Sequence, residues 1–254
     1  MSDIRPLSHA STNDKVFELA RPHLVASARV LDLGAGEGYF SSVVGAYLQR
    51  QGVSPARVLS ACDAVPGQYR YGEVTCDPLG PGNQLPYDGA VFDLVCSLEV
   101  IEHVEDQFHF LREAYRVLRP GGTFIASTPN VLNMNSRWRA LHSGFAQLFD
   151  PLPLDRHDVV HTSGHIHPVS YYYLAFALRR AGFGSVQVHF DRFKRSALVP
   201  LALLGIPMLL GHAGFLLRMR RKRPRELAQN RETVAAMNSL AMLTSRSIIV
   251  EAVK

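Results

Sequence analysis

Glycines occupy alternate positions in one short stretch of the sequence, at Gly34, Gly36 and Gly38. Glycine lets the backbone turn sharply and approach a ligand closely. If a helix begins just after these glycines, its unpaired N–H groups can stabilise a bound carboxylate or phosphate. A dinucleotide-binding turn of the GxGxxG type would need glycine at position 39, which is Tyr39 here. The spacing therefore predicts a ligand with an anionic group and disfavours a nicotinamide dinucleotide.

Three aspartates stand near the ends of successive predicted strands, at Asp32, Asp63 and Asp77. Asp32, beside the glycine turn, suits an ammonium group, and Asp63 can accept two hydrogen bonds from ribose hydroxyls. Asp77 could accept a hydrogen bond from an adenine amino group. Each aspartate could instead cap a turn. Their order along the chain favours a nucleoside that carries both an ammonium and a carboxylate group.

Two carboxylates and an imidazole follow the fourth predicted strand, at Glu99, Glu102 and His103. In the first turn of a helix these positions would share one face, and such a face can bind a divalent cation. A histidine from a later loop could complete the set, with His165 as the predicted ligand among the candidates His161, His165 and His167. Alternatively, Glu102 and His103 are catalytic residues, with His103 as the base that takes a proton from a substrate hydroxyl.

Strands and helices that would position these residues alternate along the chain. We expect strands at 29–33, 57–62, 72–75, 92–97, 123–127, 185–190 and 247–253, and helices at 16–24, 39–51, 106–118, 135–147 and 169–181. This order predicts an α/β fold with helices on both faces of the sheet. The last two strands lack a regular helical crossover, so the final strand could be antiparallel. Ligands of such sheets bind outside the carboxyl ends of the strands.

Four stretches of the chain resemble, in order, the motifs of one enzyme superfamily. They are VLDLGAGEGYF, ACDAVPGQY, CDPLGPGNQLPYDGAVFDLVCSLEVIEHVED and LREAYRVLRPGGTFIASTPN. Over residues 29–130 the chain resembles the class I S-adenosylmethionine-dependent methyltransferases, and GHIHPVSYYYLAFALRRAGF and SRSIIVEAVK resemble later parts of the same fold. The resemblance implies a Rossmann-like sheet of seven strands, mostly parallel, with the last strand antiparallel.

The resemblance also implies S-adenosylmethionine as the cofactor and a role for each motif residue. Gly34, Gly36 and Gly38 would lie beside the methionine part of the cofactor, and Asp32 would face its amino group. The remaining cofactor residues would be Asp63 at the ribose, Asp77 at the adenine amino group and Leu98 after the fourth strand. One departure is the stretch after Asp63, where Val65 is the residue that could pack against the adenine.

The Glu99–His103 stretch resembles the metal site of two methyltransferase groups. These are the ubiquinone-pathway O-methyltransferases and the small-RNA 3′-end 2′-O-methyltransferases, in which a metal orients and activates a hydroxyl. In other members of the superfamily a similar stretch holds no metal, the glutamate caps a helix and the histidine packs beside the cofactor. A divalent cation bound by Glu99, Glu102, His103 and His165 is therefore one expectation, and catalysis without metal is the other.

Positive charge is concentrated in one part of this 254-residue chain, whose formal net charge is +5. Residues 193–225 contain eight basic and no acidic residues, which leaves 19 of the 27 basic residues against 22 acidic residues elsewhere. The composition disfavours nucleic acid as a partner, because aromatic residues for base stacking are not interleaved with these charges. The three cysteines form no disulfide framework, and we expect a cytoplasmic protein with reduced thiols.

An apolar run, 196–217, lies between the basic residues and has no charged side chain. Its prolines and glycines predict a membrane-associated helical hairpin or a surface-lying segment rather than one straight span. With residues 194–225 the protein could bind peripherally to the inner face of a membrane. A lid packed on the domain and a dimer interface are the alternatives. The oligomeric state does not follow from the sequence.

We expect one methyltransferase domain over residues 1–254 with two insertions. Residues 131–168 would form a cap over the substrate, and residues 191–244 would form the hydrophobic and basic insertion before the last strand. The predicted reaction is methyl transfer to a hydroxyl of a small or membrane-associated acceptor, such as a lipid, quinone or glycan-like molecule. Two alternatives are an RNA methyltransferase that uses Arg218–Arg225 to hold phosphates and a non-catalytic module with the cofactor fold.

Overall fold

One seven-stranded sheet organises the computed structural model, which describes residues 4–155 and 164–254. The strands are β1 Val30–Leu33, β2 Leu59–Asp63, β3 Cys76–Pro78, β4 Phe92–Leu98, β5 Leu118–Pro129, β6 Ser185–Phe190 and β7 Ser247–Val253. Their order in the sheet is β3-β2-β1-β4-β5-β7-β6. The pairs from β3 through β5 are parallel, whereas β7 is antiparallel to both β5 and β6. This arrangement confirms the predicted Rossmann-like fold and its antiparallel last strand.

Helices cover both faces of the sheet, as predicted. The helices are α1 Ala10–Ala20, α2 Tyr39–Arg50, α3 Pro55–Val58, α4 Gln107–Val117, α5 Met134–Ser143, α6 Tyr171–Ala181, α7 Leu198–Lys222, α8 Pro224–Gln229, α9 Arg231–Ala236 and α10 Leu240–Thr244. On one face, α1 and α2 pack against Leu94 and Cys96 of β4, and on the other α4 and α6 pack in the cluster that contains Val95. Alternate residues of one strand therefore enter two cores, as the period of a strand requires.

The third strand lies later in the chain than predicted. It is Cys76–Pro78 rather than 72–75, because the parallel pairing with β2 aligns Cys76 with Ala61 and Asp77 with Cys62. Asp77 therefore lies inside the strand and not after it. The first helix also differs: it begins at Ala10, where the His9 side chain caps it, and it ends at Ala20, shortly before Pro22.

The apolar run forms one continuous helix, α7, and the expectation of a helical hairpin is wrong. Pro200 falls in the first turn, where a helix needs no N–H donor. Pro207 lies inside the helix, but Leu201, Leu204 and Met208 along one side pack against a small core cluster, which favours helix on both sides of it. Most residues of the segment are exposed on the surface of the domain, and its contact with a membrane surface stays a prediction.

Candidate functional site

A cavity of about 820 Å³ opens at the carboxyl ends of β1, β2 and β4. The last residues of these strands line it, and side chains of both apolar and acidic character contribute to its wall. The lining residues at the strand ends are Leu33, Gly34, Cys62, Asp63, Leu98 and Glu99. This is the edge at which parallel α/β sheets bind ligands. Its volume lies within the range of small-molecule and cofactor sites.

The glycines of the turn adopt the positive φ angles that glycine permits. Gly34, Gly36 and Gly38 have φ values of 78°, 52° and 89°, a region that side chains disfavour. A Cβ atom on Gly34 would lie 2.4 Å from the Cγ2 of Val100, so the loop after β4 contacts the turn closely. The amides of Gly34 and Ala35 donate to the carbonyl of Cys62. An anionic group would therefore be bound at the start of α2, at Tyr39 and Phe40, which also line the cavity.

Asp32 is a buried carboxyl at the wall of the cavity, with only 2% of its surface exposed. The hydroxyl of Ser41 in α2 donates a 2.6 Å hydrogen bond to its Oδ2. Burial raises the pKa of Asp32 to about 6, although the hydrogen bonds from Ser41 oppose that shift. A cationic group of a ligand would offset the cost of burying the charge. The predicted ammonium partner therefore fits this position.

Asp63 ends β2 and lines the same cavity. Its Oδ2 accepts a hydrogen bond of 2.8 Å from the amide of Gly36, and its Oδ1 accepts one of 2.7 Å from the amide of Val65. These two bonds fix the carboxylate between the glycine turn and the loop after β2. Each carboxylate oxygen can accept a further bond, so the predicted contact with ribose hydroxyls is compatible with this geometry. Val65 also lines the cavity.

Two predicted cofactor residues lie away from the cavity wall. Among the residues that the structure describes, the lining includes Leu98 but neither Gly38 nor Asp77. The hydroxyl of Tyr87 lies 2.8 Å from the Oδ2 of Asp77 and 3.0 Å from the carbonyl of Ala61. Asp77 thus takes part in a contact between β2, β3 and the following loop, and its role at an adenine amino group remains a prediction.

Glu99 has an unusual backbone conformation at the end of β4, with φ of 53°. Such a conformation costs on the order of 1–3 kcal/mol for a residue with a side chain. It places the Glu99 carboxylate 3.8 Å from the guanidinium of Arg246, and burial raises the pKa of Glu99 to about 7. The expected α-helical turn over 99–103 is absent, because a 3-10 turn spans Ile101–His103 and Glu99 precedes it. Glu99 therefore does not share a helical face with Glu102 and His103.

Three of the four predicted metal ligands come together beside the cavity. One ligand atom from each of Glu102, His103 and His165 lies within 4.8 Å of the others. His103 and His165 line the cavity, whereas Glu102 lies behind them and is fully buried. Of the other candidates, His167 donates its amide to the carbonyl of Glu102, and His161 lies outside the described residues.

Hydrogen bonds determine which nitrogen each histidine presents. The Nδ1 of His103 lies 2.7 Å from the carbonyl of Gly164, and the Nδ1 of His165 lies 2.9 Å from the carbonyl of Leu148. Since a carbonyl only accepts, each Nδ1 carries a proton, and in the neutral form of either ring the lone pair is on Nε2. Burial, and secondarily the His103 ring, lower the pKa of His165 and favour its neutral form. Two neutral imidazoles and a carboxylate are a suitable donor set for a divalent metal.

Glu102 is a buried carboxyl whose charge Arg246 and its hydrogen bonds offset only in part. Its Oε2 accepts a 3.0 Å hydrogen bond from Thr128, whereas its buried Oε1 has no partner among the described residues. Burial and the neighbouring Glu99 carboxyl raise the pKa of Glu102 well above its ordinary value. A cation bound between Glu102 and the two histidines would satisfy Oε1 and reverse this shift.

Several residues that line the cavity could not be predicted from the sequence. Arg246 precedes β7 and lies about 150 residues from the motif that contains Glu99, and Arg5 and Leu7 come from a segment without a recognisable pattern. A Cβ atom on Gly36 would lie 3.0 Å from Leu7, so the N-terminal segment contacts the glycine turn. Only the fold brings these residues together, and no local spacing indicates them.

Comparisons with known proteins identify the family of the chain. The family model described as "Methyltransferase domain" matches residues 9–188. A probable S-adenosylmethionine-dependent methyltransferase from Mycolicibacterium smegmatis is 36% identical over 108 residues, which cover 42% of this chain and 40% of that protein. A ubiquinone biosynthesis O-methyltransferase from Rhizobium etli is 33% identical over 117 residues, which cover 43% of this chain and 44% of that protein. The chain thus spans less than half the length of these curated relatives.

A solved structure extends the similarity to the whole fold. The crystal structure of a methyltransferase from Archaeoglobus fulgidus superposes with a TM-score of 0.55 at 15% identity, covering 95% of this chain and 94% of that one. At this identity the likeness shows the fold alone. The family model covers well over half of the sequence, and the chain therefore belongs to the methyltransferase-domain family, within the class I S-adenosylmethionine-dependent methyltransferases.

Proposed function

We propose that this protein transfers the methyl group of S-adenosylmethionine to a hydroxyl oxygen of a small or membrane-associated acceptor. The observation that supports the proposal is that two groups of residues line or adjoin the same cavity. On one side it has the glycine turn with the buried Asp32 and the fixed Asp63, and on another it has His103 and His165 with Glu102 behind them. A cofactor site and a proton-accepting or metal-binding site are thus combined at one sheet edge.

The cofactor, when bound, supplies a methyl group that is already activated by a positively charged sulfur. The protein therefore needs to align the acceptor oxygen with that group and to exclude water. Asp32 and Asp63 would hold the ammonium and the ribose, and Leu98 would give an apolar wall. Without a metal, His103 would be the base: its Nδ1 contacts the carbonyl of Gly164, so its Nε2 would accept the hydroxyl proton, and the oxygen electron pair would form the bond to the methyl carbon as that carbon leaves the sulfur.

We further propose that Glu102, His103 and His165 hold a divalent cation. The support is the convergence of three ligand atoms and the partnerless Oε1 of Glu102 among the described residues. With the ion bound, Nε2 of His103 would be a ligand and not the base, and the ion would instead lower the pKa of an acceptor hydroxyl and orient it. Glu99 is not part of this group in the structure, and its inclusion as a fourth ligand remains a prediction from the sequence.

Calorimetry with S-adenosylhomocysteine tests the cofactor site. Asp63→Asn keeps the shape of the side chain but removes its charge, and we expect binding to weaken roughly tenfold or more, because hydrogen bonds to a charged acceptor contribute about 1.5–3 kcal/mol. The matched control is Asp14→Asn, an exposed aspartate of α1, which should bind as tightly as the wild type. Wild-type protein that binds no S-adenosylhomocysteine would contradict the proposal and favour a non-catalytic module.

Titration with Mn²⁺ and Zn²⁺ tests the cation site separately. Glu102→Gln and His165→Asn should each reduce metal affinity by roughly tenfold to a hundredfold. His142→Asn, an exposed histidine of α5, is the control and should leave affinity unchanged. Glu102→Gln should fold at least as well as the wild type, because it removes a buried carboxyl. Equal metal binding by all four proteins would exclude this site while leaving the cofactor proposal intact.

A further inference from the structure

Helix α7 exposes an apolar stripe along its outer side. Among the described residues it is the one helix long and apolar enough to cross a membrane, with a mean hydropathy of 1.8 in its most apolar window. The outward stripe consists of Val199, Leu203, Ile206, Leu210 and Leu217, all more than half exposed, with Ile206 at 72%. Their spacing of three, four and seven residues places them on one face. A soluble monomer rarely leaves so continuous an apolar surface uncovered.

The opposite side of α7 contacts the domain over more than half of its length. Leu201, Leu204 and Met208 pack with the cluster of Met134, Ala197 and Leu243, and the side-chain amide of Asn238 donates a 3.0 Å hydrogen bond to Nδ1 of His212. A helix held in this way lies along the domain and presents the outward stripe to whatever binds there. It does not protrude as a free span.

Basic residues continue the outward stripe at its carboxyl end. Because successive residues of an α-helix are rotated by about 100°, Arg220 and Arg221 lie on the same face as Leu217. Exposed cations surround them, namely Arg218, Lys222, Arg223 and Arg225, and the range 193–225 contains no acidic residue. A second copy of the chain would have to bury aliphatic side chains beside unpaired arginines. An anionic bilayer offers hydrocarbon to the stripe and phosphate to the arginines.

Contacts connect the start of α7 to the rim of the cavity. Asn135 of α5 donates a 2.8 Å hydrogen bond to the hydroxyl of Ser196, and Lys194 donates one of 3.1 Å to the side chain of Gln147. The next residue, Leu148, lines the cavity. A surface bound to α7 therefore lies near the entrance of the site.

We propose that α7 docks the protein on the surface of an anionic lipid bilayer, with the outward stripe among the acyl chains and Arg220 and Arg221 at the headgroup phosphates. The helix lies in the interface and does not span the bilayer. This docking does not depend on methyl transfer, so vesicle binding and cofactor binding can fail separately. It would favour an acceptor that is itself dissolved in the membrane.

Flotation of the full chain with vesicles tests the stripe. The wild type should float with phosphatidylcholine vesicles that contain phosphatidylglycerol and much less with phosphatidylcholine alone. Leu203→Glu with Leu210→Glu should reduce flotation roughly tenfold or more, because two acids replace inserted apolar side chains. The matched control, Val25→Glu with Phe108→Glu, changes two exposed apolar residues outside α7 and should float like the wild type.

A second pair of variants tests the charge. Arg220→Glu with Arg221→Glu should lower binding to the anionic vesicles roughly tenfold, whereas Arg50→Glu with Arg57→Glu, which makes the same charge change at exposed arginines elsewhere, should not. A circular dichroism spectrum and a thermal unfolding midpoint like those of the wild type confirm that each variant is folded.

Three results would overturn the proposal. The wild type could fail to float with the vesicles, or the Leu203→Glu/Leu210→Glu variant could float as well as the wild type. Alternatively, the wild type could be a dimer that binds no vesicles and that this variant converts into a monomer. Release of the wild type from vesicles by a short RNA, with RNA binding lost in the arginine variant alone, would instead identify a nucleic-acid surface.

Discussion

Ligand binding and folding stability would favour opposite protonation states of Asp32. Its carboxyl is buried, and its pKa is raised to about 6 from an ordinary value of 3.8. An acid whose pKa is raised by folding stabilises the folded state below its unfolded pKa and loses that contribution as pH rises through the folded value. The ionised form that an ammonium would recognise is therefore the form that weakens the free protein.

Asp32→Asn should accordingly change stability in a pH-dependent way. The shift of about two pKa units corresponds to roughly 3 kcal/mol between pH 4 and pH 8. We expect urea unfolding to show the variant gaining about that much on the wild type as pH is raised from 4 to 8, even if the new amide leaves an unpaired donor at both pH values. A wild-type-like pH dependence would mean that Asp32 titrates normally. The same variant should bind S-adenosylhomocysteine poorly at every pH.

The sequence predicts which side chains could bind a metal or accept a proton. It predicts less well which residues those side chains contact. Glu102, His103 and His165 converge as expected from a carboxylate and two imidazoles near one sheet edge. Glu99 does not share a helical face with Glu102 and His103, because its positive φ precedes a 3-10 turn, and no residue pattern indicates that conformation. Arg246, which pairs with Glu99, could not be predicted, since only the insertion of β7 into the sheet brings it there.

The glycine turn tolerates substitution poorly. Gly34 combines a positive φ with a close approach to Val100, so a side chain would meet two separate obstacles. Gly36 and Gly38 also have positive φ, and a Cβ atom would lie 3.0 Å from Leu7 at Gly36 and 2.8 Å from Tyr69 at Gly38, compared with 2.4 Å from Val100 at Gly34.

Gly34→Ala should lower the free energy of unfolding by at least about 2 kcal/mol, since the left-handed conformation alone costs roughly 1–2 kcal/mol for alanine. Adding Val100→Ala should recover only the part due to the clash. Gly67→Ala is the control, because Gly67 has open space around it and no positive φ. Urea unfolding of the four proteins measures these differences. Full recovery by Val100→Ala would show that backbone strain at Gly34 is negligible.

Helix α7 contains two prolines in different helical positions, which allows a matched comparison. Pro207→Ala restores a backbone donor inside the helix and should increase hydrogen-exchange protection of residues 203–211 by roughly tenfold or more, because proline costs about 3 kcal/mol there. Pro200→Ala, in the first turn, should give no such gain and should lose packing, since Pro200 is buried. Equal effects at the two positions would contradict a continuous helix.

The elements with regular patterns are the ones that the sequence predicts well. Strands β6 and β7 have the predicted bounds, and α4 begins after Asp106, whose side chain caps the amide of His109. Strand β3 is too short to show an alternating pattern, and its position depends on pairing with β2. In α7 the prolines and glycines suggest a break, but packing along one side overrides that local preference.

The molecule as a whole protects all three of its thiols. Cys62 and Cys96 are fully buried, and burial raises the pKa of both Cys62 and Cys76 to about 12. Since the thiolate is the reactive form, the folded chain should react with Ellman's reagent at pH 8 far more slowly than the chain in guanidinium chloride, in which all three thiols react. Rapid reaction of Cys62 in the folded protein would show that the cavity opens widely to solvent.

The position of β7 between β5 and β6 has a consequence for how the chain folds. Within the described residues β6 is hydrogen-bonded to β7 alone, so β6 cannot join the sheet until residues 247–253 have returned to pair with β5. More than fifty residues, including all of α7, separate these two neighbours in the chain. During this interval the edge of β5 has unpaired backbone groups, a state that favours aggregation. Maturation of the protein should therefore be limited by this late closure and should benefit from chaperones that shield the open edge.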